Sequence, residues 1–182
     1  VLIHESIHAN LIDYNIIVYQ HKFNLSKKIC THYEILLNEA FTETLASLIN
    51  MILVNYYTKI DIDKIFNNEV FHMINIFNKI MNYYNINKIE DIIEKNGCRR
   101  YFKQKTNVFS YYVLKTINYI NKNKYLKLLK KYSNNNYQII NPNYNNDYID
   151  FVFKEIYSMN KYIRKEEIKN RNLKLTFYEL KI

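Results

Sequence analysis

His4-Glu5-Ser6-Ile7-His8 sets two imidazoles four residues apart around a glutamate, the His-Glu-x-x-His spacing. On a helix, residues at i and i+4 lie one above the other, so both rings can reach a single metal ion. Glu5, one step around the helix, stands where a carboxylate can take a proton from a metal-activated water. The chemistry such a set performs is Zn2+-dependent hydrolysis. The same five letters also arise by accident, on an exposed helix whose Glu–His pair contributes only about 0.2–0.5 kcal/mol. Two features favour the metal reading. The chain has only 5 His, and the flanks Val1, Leu2, Ile3, Ile7, Leu11 and Ile12 are apolar, so the helix is expected to be buried. A buried histidine pair needs partners.

Zinc needs a third protein ligand, with the fourth position left open to water. A metzincin would continue with Gly and a third His, but Leu11 and Tyr14 occupy those positions. His21, His32 and His72 belong to no recognisable pattern. Asn38-Glu39-Ala40-Phe41-Thr42-Glu43 is the better source. It lies in a helix expected from about residue 31 to 59, opened by a Thr31/Glu34 capping box. Ile35, Leu36, Ile49, Ile52 and Leu53 supply its expected apolar side. Glu39 and Glu43, at i and i+4, repel each other on a bare helix, and they sit among Leu36, Leu37, Ala40, Phe41, Leu45, Ala46 and Leu48. A zinc ion on Glu39 would compensate one charge. Glu43 could then accept the free ring N–H of a zinc-binding histidine. The plain alternative is an amphipathic helix with both carboxylates in solvent.

With these residues in hand, the chain resembles the gluzincin metallopeptidases, which include thermolysin-like proteases and aminopeptidase-type families. They combine HExxH with a downstream glutamate in contexts such as NExxSD or EGFxEY, and residues 38–43 are similar to both. The resemblance covers about residues 1–50. It implies His4, His8 and Glu39 as zinc ligands, Glu5 as general base and Glu43 as a supporting carboxylate. It also implies an oxyanion-stabilising Tyr or His some sixty to seventy positions after the ligand glutamate. Counting from Glu39 reaches the segment 106–114, where Tyr111 or Tyr112 is the choice, with Tyr101 behind them, and a core role with the hydroxyl reaching the surface is the alternative. One departure is the His8-to-Glu39 gap, longer than the roughly twenty residues usual in the group. The extra length falls at Gln20 to Cys30, a polar stretch with Lys22, Lys27 and Lys28 that reads as a loop.

These residues need helices to hold them. At 182 residues, with hydrophobic content of 48%, the chain is long enough for one domain with a sizeable core. Gly 1 and Pro 1 leave little material for tight turns, so the expected fold class is mainly α. The resemblance implies the helical part of a zincin-like domain, whose N-terminal β-sheet would lie upstream of Val1. Residues 1–132 form the catalytic region, 133–146 an Asn-rich loop, and 147–182 a C-terminal helix and tail. Within the first block a helix is expected over 61–84, with Phe66, Val70, Ile74, Phe77 and Met81 on one stripe and His72 off it. A short helix follows over 89–95, stopped at Gly97. Arg99-Arg100 are solvated loop charges or contacts for a substrate carboxylate. Residues 106–114 read as helix, 122–132 as a basic helix. Asp147 is expected to cap a last helix to about residue 164, and Leu173 to Phe177 alternates like a strand.

Cys30 and Cys98 are too few for a disulfide framework and fit a reducing, cytoplasmic compartment, with secretion left open. No apolar run reaches membrane-span length. The formal net charge of +9 invites a nucleic-acid partner. Lysines spread along every segment do not form the single basic face that phosphate recognition needs, so none is expected. Abundant Asn, Ile, Lys and Tyr with scarce Arg suggests an AT-rich genome, such as that of a large DNA virus or a microbial eukaryote. The partner expected is a peptide or protein substrate. The alternatives are an inactive zincin-like module, or a helical interaction protein with an accidental HExxH.

Overall fold

The computed structural model is mainly α-helical and describes residues 2–20, 29, 31, 34–93, 102, 107–134 and 143–165. Its α-helices are α1 (Leu2–Ala9), α2 (Tyr14–Gln20), α3 (Leu37–Thr58), α4 (Ile62–Tyr83), α5 (Lys115–Ile120), α6 (Lys122–Tyr132) and α7 (Asn143–Ile156). A π-helical turn, Phe109–Leu114, runs straight into α5, and 3₁₀ segments lie at Ile89–Ile92 and Tyr157–Tyr162. Among the described residues there is no strand. Isolated bridges pair Ile29 with Ile93 and Thr31 with Phe102. No helix among them is long and apolar enough to cross a membrane.

With a single glycine, the chain turns its helices by other means. Leu11, Lys59 and Asn85 adopt left-handed backbone, at φ 54, 60 and 54 respectively, at a cost of about 1 kcal/mol each. Lys59 ends α3, its N–H reaching the Asn55 carbonyl at 2.9 Å. Asp61 then opens α4 by accepting the Lys64 N–H at 3.0 Å. Leu11 matters more for function. Its N–H bonds to the His8 carbonyl at 2.9 Å, and the Ile12 N–H to the Ile7 carbonyl at 3.2 Å. This is the left-handed closure of a helix end. It folds the chain back so that the Asp13 carbonyl accepts the Ile16 and Ile17 N–H groups and starts α2.

α3 is the central element. α1 packs on its N-terminal half, the π-helical turn lies against it, α4 runs beside both α3 and α5, and α7 closes over α2 and α6. Phe41, Met73, Phe77, Phe109, Val113, Ile117 and Val152 are almost fully buried in one core, each contributing roughly 1.5–3 kcal/mol. Asn145 ties α7 to α2 by donating to the Ile16 carbonyl at 3.2 Å.

Several sequence expectations shift. α3 begins at Leu37, not near residue 31, and Leu36 caps it without a side-chain bond. Thr31 instead donates to the Phe102 carbonyl at 3.1 Å, so the Thr31/Glu34 box does not cap this helix. Ile52 is exposed, and the buried side of α3 is Leu37, Ala40, Phe41, Ala46, Met51 and Val54. The HExxH helix is only half-buried: Leu2 is 75% exposed and Leu11 61%. On α4 the buried face is rotated toward Ile65, Glu69, Met73, Ile76 and Ile80, leaving Phe66, Val70 and Ile74 half-buried. The segment after residue 88 is a single 3₁₀ turn. The last helix begins at Asn143, so Asp147 lies inside it, where it pairs with Lys131 at 2.8 Å and accepts from the Tyr132 hydroxyl. His21, Cys30, His32, Gly97, Cys98, Arg99, Arg100, Tyr101 and the 173–177 stretch lie outside the described residues.

Candidate metal centre

α1 presents His4 and His8 on one face because they are one turn apart, and α3 packs across that face with Glu39 and Glu43, also one turn apart. The two imidazoles meet nitrogen to nitrogen, His4 Nε2 to His8 Nε2 at 3.1 Å. Glu39 closes the triangle, with Oε2 at 3.5 Å from His4 Nε2 and Oε1 at 3.8 Å from His8 Nε2. One candidate ligand atom from each of His4, His8 and Glu39 thus lies within 4.8 Å of the others. The side chains are 14%, 26% and 15% exposed, enough for a small molecule to approach from solvent.

The far side of each ring is also held. His4 Nδ1 lies 3.1 Å from Glu43 Oε2, and His8 Nδ1 lies 2.8 Å from Asp13 Oδ2. A carboxylate beside Nδ1 favours the tautomer with the proton there. Both Nε2 atoms then carry lone pairs aimed at one another and at the Glu39 carboxylate. Such an arrangement repels itself unless a cation sits among the three groups. Glu39 Oε1 accepts from Asn38 at 3.3 Å, whereas buried Oε2 has no donor in hydrogen-bonding geometry. Two imidazoles and one carboxylate form a donor set suited to zinc, and the residues fit that ion.

Electrostatics point the same way. The Glu39 carboxylate beside it and the hydrogen bond to Glu43 raise His4 from 6.5 to about 9 against the opposing effect of burial. Glu39 is held below the usual carboxylate range by His4, against burial, with the Tyr111 hydroxyl and the His8 charge assisting. Glu43 is lowered as well: burial opposes this, and His4 and Lys115 overcome it. The cluster attracts positive charge, which a proton supplies in the metal-free protein.

Of the two nominated tyrosines, the structure brings Tyr111 to the cluster. Its ring centroid is 6.2 Å from that of His4, and its hydroxyl lies in the field of the Glu39 carboxylate. Burial, then the Glu39 charge, lifts that hydroxyl to about 12. Tyr112 faces the core, 8% exposed. Consecutive residues of a helix point about 100° apart, so only one of the two can face the cluster. Glu5 is exposed on the solvent side of α1, and His72 is half-buried on α4.

Two partners escaped the sequence. Asp13 is 1% exposed and also lies within 3.4 Å of Asn38 Nδ2 and Thr42 Oγ1. Lys115 is fully buried, with Nζ 3.3 Å from Glu43 Oε1 and 3.9 Å from Glu69 Oε1. Only a lone lysine in the apolar run Val113-Leu114-Lys115-Thr116-Ile117 hinted at the second.

No protein-family model, curated protein or solved structure matches this chain. The functional reading therefore stands on the geometry of the centre.

Proposed function

We propose that this chain is the helical part of a zinc-dependent, gluzincin-like metallopeptidase, with Zn2+ held by His4, His8 and Glu39. The observation that carries the reading is the convergence of two Nε2 atoms and one carboxylate, with each Nδ1 backed by an acid from a different element. An amphipathic surface helix has no reason to bury Asp13 and Glu43 behind its histidines. Zinc bound there supplies Lewis acidity, acidifying a water to about pKa 7 and polarising a carbonyl. Glu5, next to His4 and open to solvent, is the base that accepts the water's proton and returns it to the leaving amine. Tyr111 is the group beside Glu39 able to donate a hydrogen bond to a developing oxyanion. Glu43 and Asp13 keep the rings aimed. A peptide or protein is the substrate class that fits this chemistry.

One observation favours a second reading. A proton on His4 already balances the carboxylates, so the same cluster can persist as a metal-free polar knot in a helical interaction protein. Elemental analysis separates the two. Purified protein dialysed against zinc and then against buffer should retain the metal in a one-to-one ratio. Glu5→Gln should keep that metal while losing hydrolysis of a peptide library. A protein that stays metal-free supports the knot.

A further inference from the structure

Behind the metal centre lies a second clasp, between α3 and the segment that runs from the π-helical turn into α5. Tyr111 and Lys115 lie four residues apart, one turn of helix: the Tyr111 ring stands 6.2 Å from that of His4, and the Lys115 ammonium meets Glu43 on α3 in the core. Lys115 is 0% exposed, a rare placement for an ammonium unless it is paired. An apolar side chain of similar length would fill such a site at no electrostatic cost, and replacing buried ion pairs in that way is often neutral or stabilising. A role in packing therefore does not account for the lysine.

Glu43 divides its two oxygens. Oε1 faces Lys115 Nζ at 3.3 Å and the Ser47 hydroxyl at 3.4 Å. Oε2 is left for His4 Nδ1 at 3.1 Å. We infer that Lys115 is a positioning residue of the metal centre, gripping one oxygen of Glu43 so that the other orients the His4 ring toward the bound cation. The inference rests on the metal reading above and extends it one layer inward. Glu69 on α4, with Oε1 3.9 Å from the same ammonium, balances part of its charge. His8 meets His4 through Nε2, but its Nδ1 is held by Asp13 on the far side of the ring, so that nitrogen serves as an internal reference.

The test compares wild type, Lys115→Met with Glu69→Gln, and Glu69→Gln alone. The double substitution removes one buried charge of each sign, so it folds where Lys115→Met alone strands two carboxylates. Metal-free protein labelled with ¹⁵N at histidine reports ring tautomer and hydrogen bonding by long-range ¹H–¹⁵N NMR. In the double variant His4 Nδ1 shifts while His8 Nδ1, on Asp13, keeps its wild-type position. Glu69→Gln alone leaves both Nδ1 signals unchanged. Zinc affinity of the double variant, by chelator competition, falls about 10–100-fold. An unchanged His4 Nδ1 signal, equal changes at the two Nδ1 atoms, wild-type zinc affinity, or the same effect from Glu69→Gln alone would each overturn the assignment. Failure of the wild-type protein to bind zinc sinks the proposed function instead, and the histidine comparison still decides whether Lys115 orients His4.

Discussion

The two histidines of the centre are held in different ways. His8 is backed locally: the left-handed turn at Leu11 returns the chain so that Asp13, five residues on, meets its Nδ1 at 2.8 Å. His4 is backed through tertiary packing, by Glu43 on α3, which is gripped in turn by Lys115 and set near Glu69 from α4. One ligand is aimed by a turn, the other by a buried ion network. The first should survive loosening of the core and the second should not.

The largest expected effect falls on neither support. Glu5→Gln should lower peptide hydrolysis by roughly 10²–10⁴-fold with zinc retained; a matching loss of zinc would show that Glu5 helps hold the centre rather than acting as base. Next come the two backing acids. Glu43→Ala and Asp13→Ala should each weaken zinc binding by about 10–100-fold in chelator competition. Their stability costs should differ. Glu43→Ala takes a partner from a buried ammonium and should cost about 3 kcal/mol in urea unfolding of the metal-free protein. Asp13→Ala removes a charge-assisted bond and should cost about 1.5 kcal/mol. Equal costs would erase the distinction between local and tertiary support.

A pH series sharpens the His4 side. His4 is raised from 6.5 to about 9 in the metal-free fold, so the folded state keeps a proton that the unfolded chain releases above its ordinary value. That stabilisation is complete below pH 6.5 and is lost as pH rises through 9. Thermal unfolding in chelator should show the decline, and His4→Gln should flatten it. Zinc must displace the same proton, so its affinity should rise by up to about tenfold per pH unit over that window. The smallest effect tests the His8 side. Leu11→Gly relieves the left-handed backbone and should stabilise the protein by roughly 0.5–1 kcal/mol, with zinc affinity unchanged.

What the sequence revealed follows the same division. His4 with His8 and Glu39 with Glu43 are pairs one turn apart, and helical spacing alone aligns them. The mainly α architecture was legible from the near absence of glycine and proline. Asp13 was hidden because its approach depends on a turn made by Leu11, a residue type that does not announce left-handed backbone. Lys115 and Glu69 were hidden because charge inside an apolar helix face reads as a break in the pattern until the partner helix is seen. The stripe through Phe66 and Val70 misplaced the buried face of α4 for that reason: Glu69 is on the inside. Tyr111 and Tyr112 could not be separated because either of two neighbours on a helix can face the cluster until the packing is seen.

The most direct measurement of the central claim is zinc content in wild type and in Glu39→Ala, each reconstituted and dialysed under identical conditions. The account predicts a single zinc per chain in the wild type and severe loss in the variant. Metal-free wild type, or full occupancy in Glu39→Ala, would contradict it.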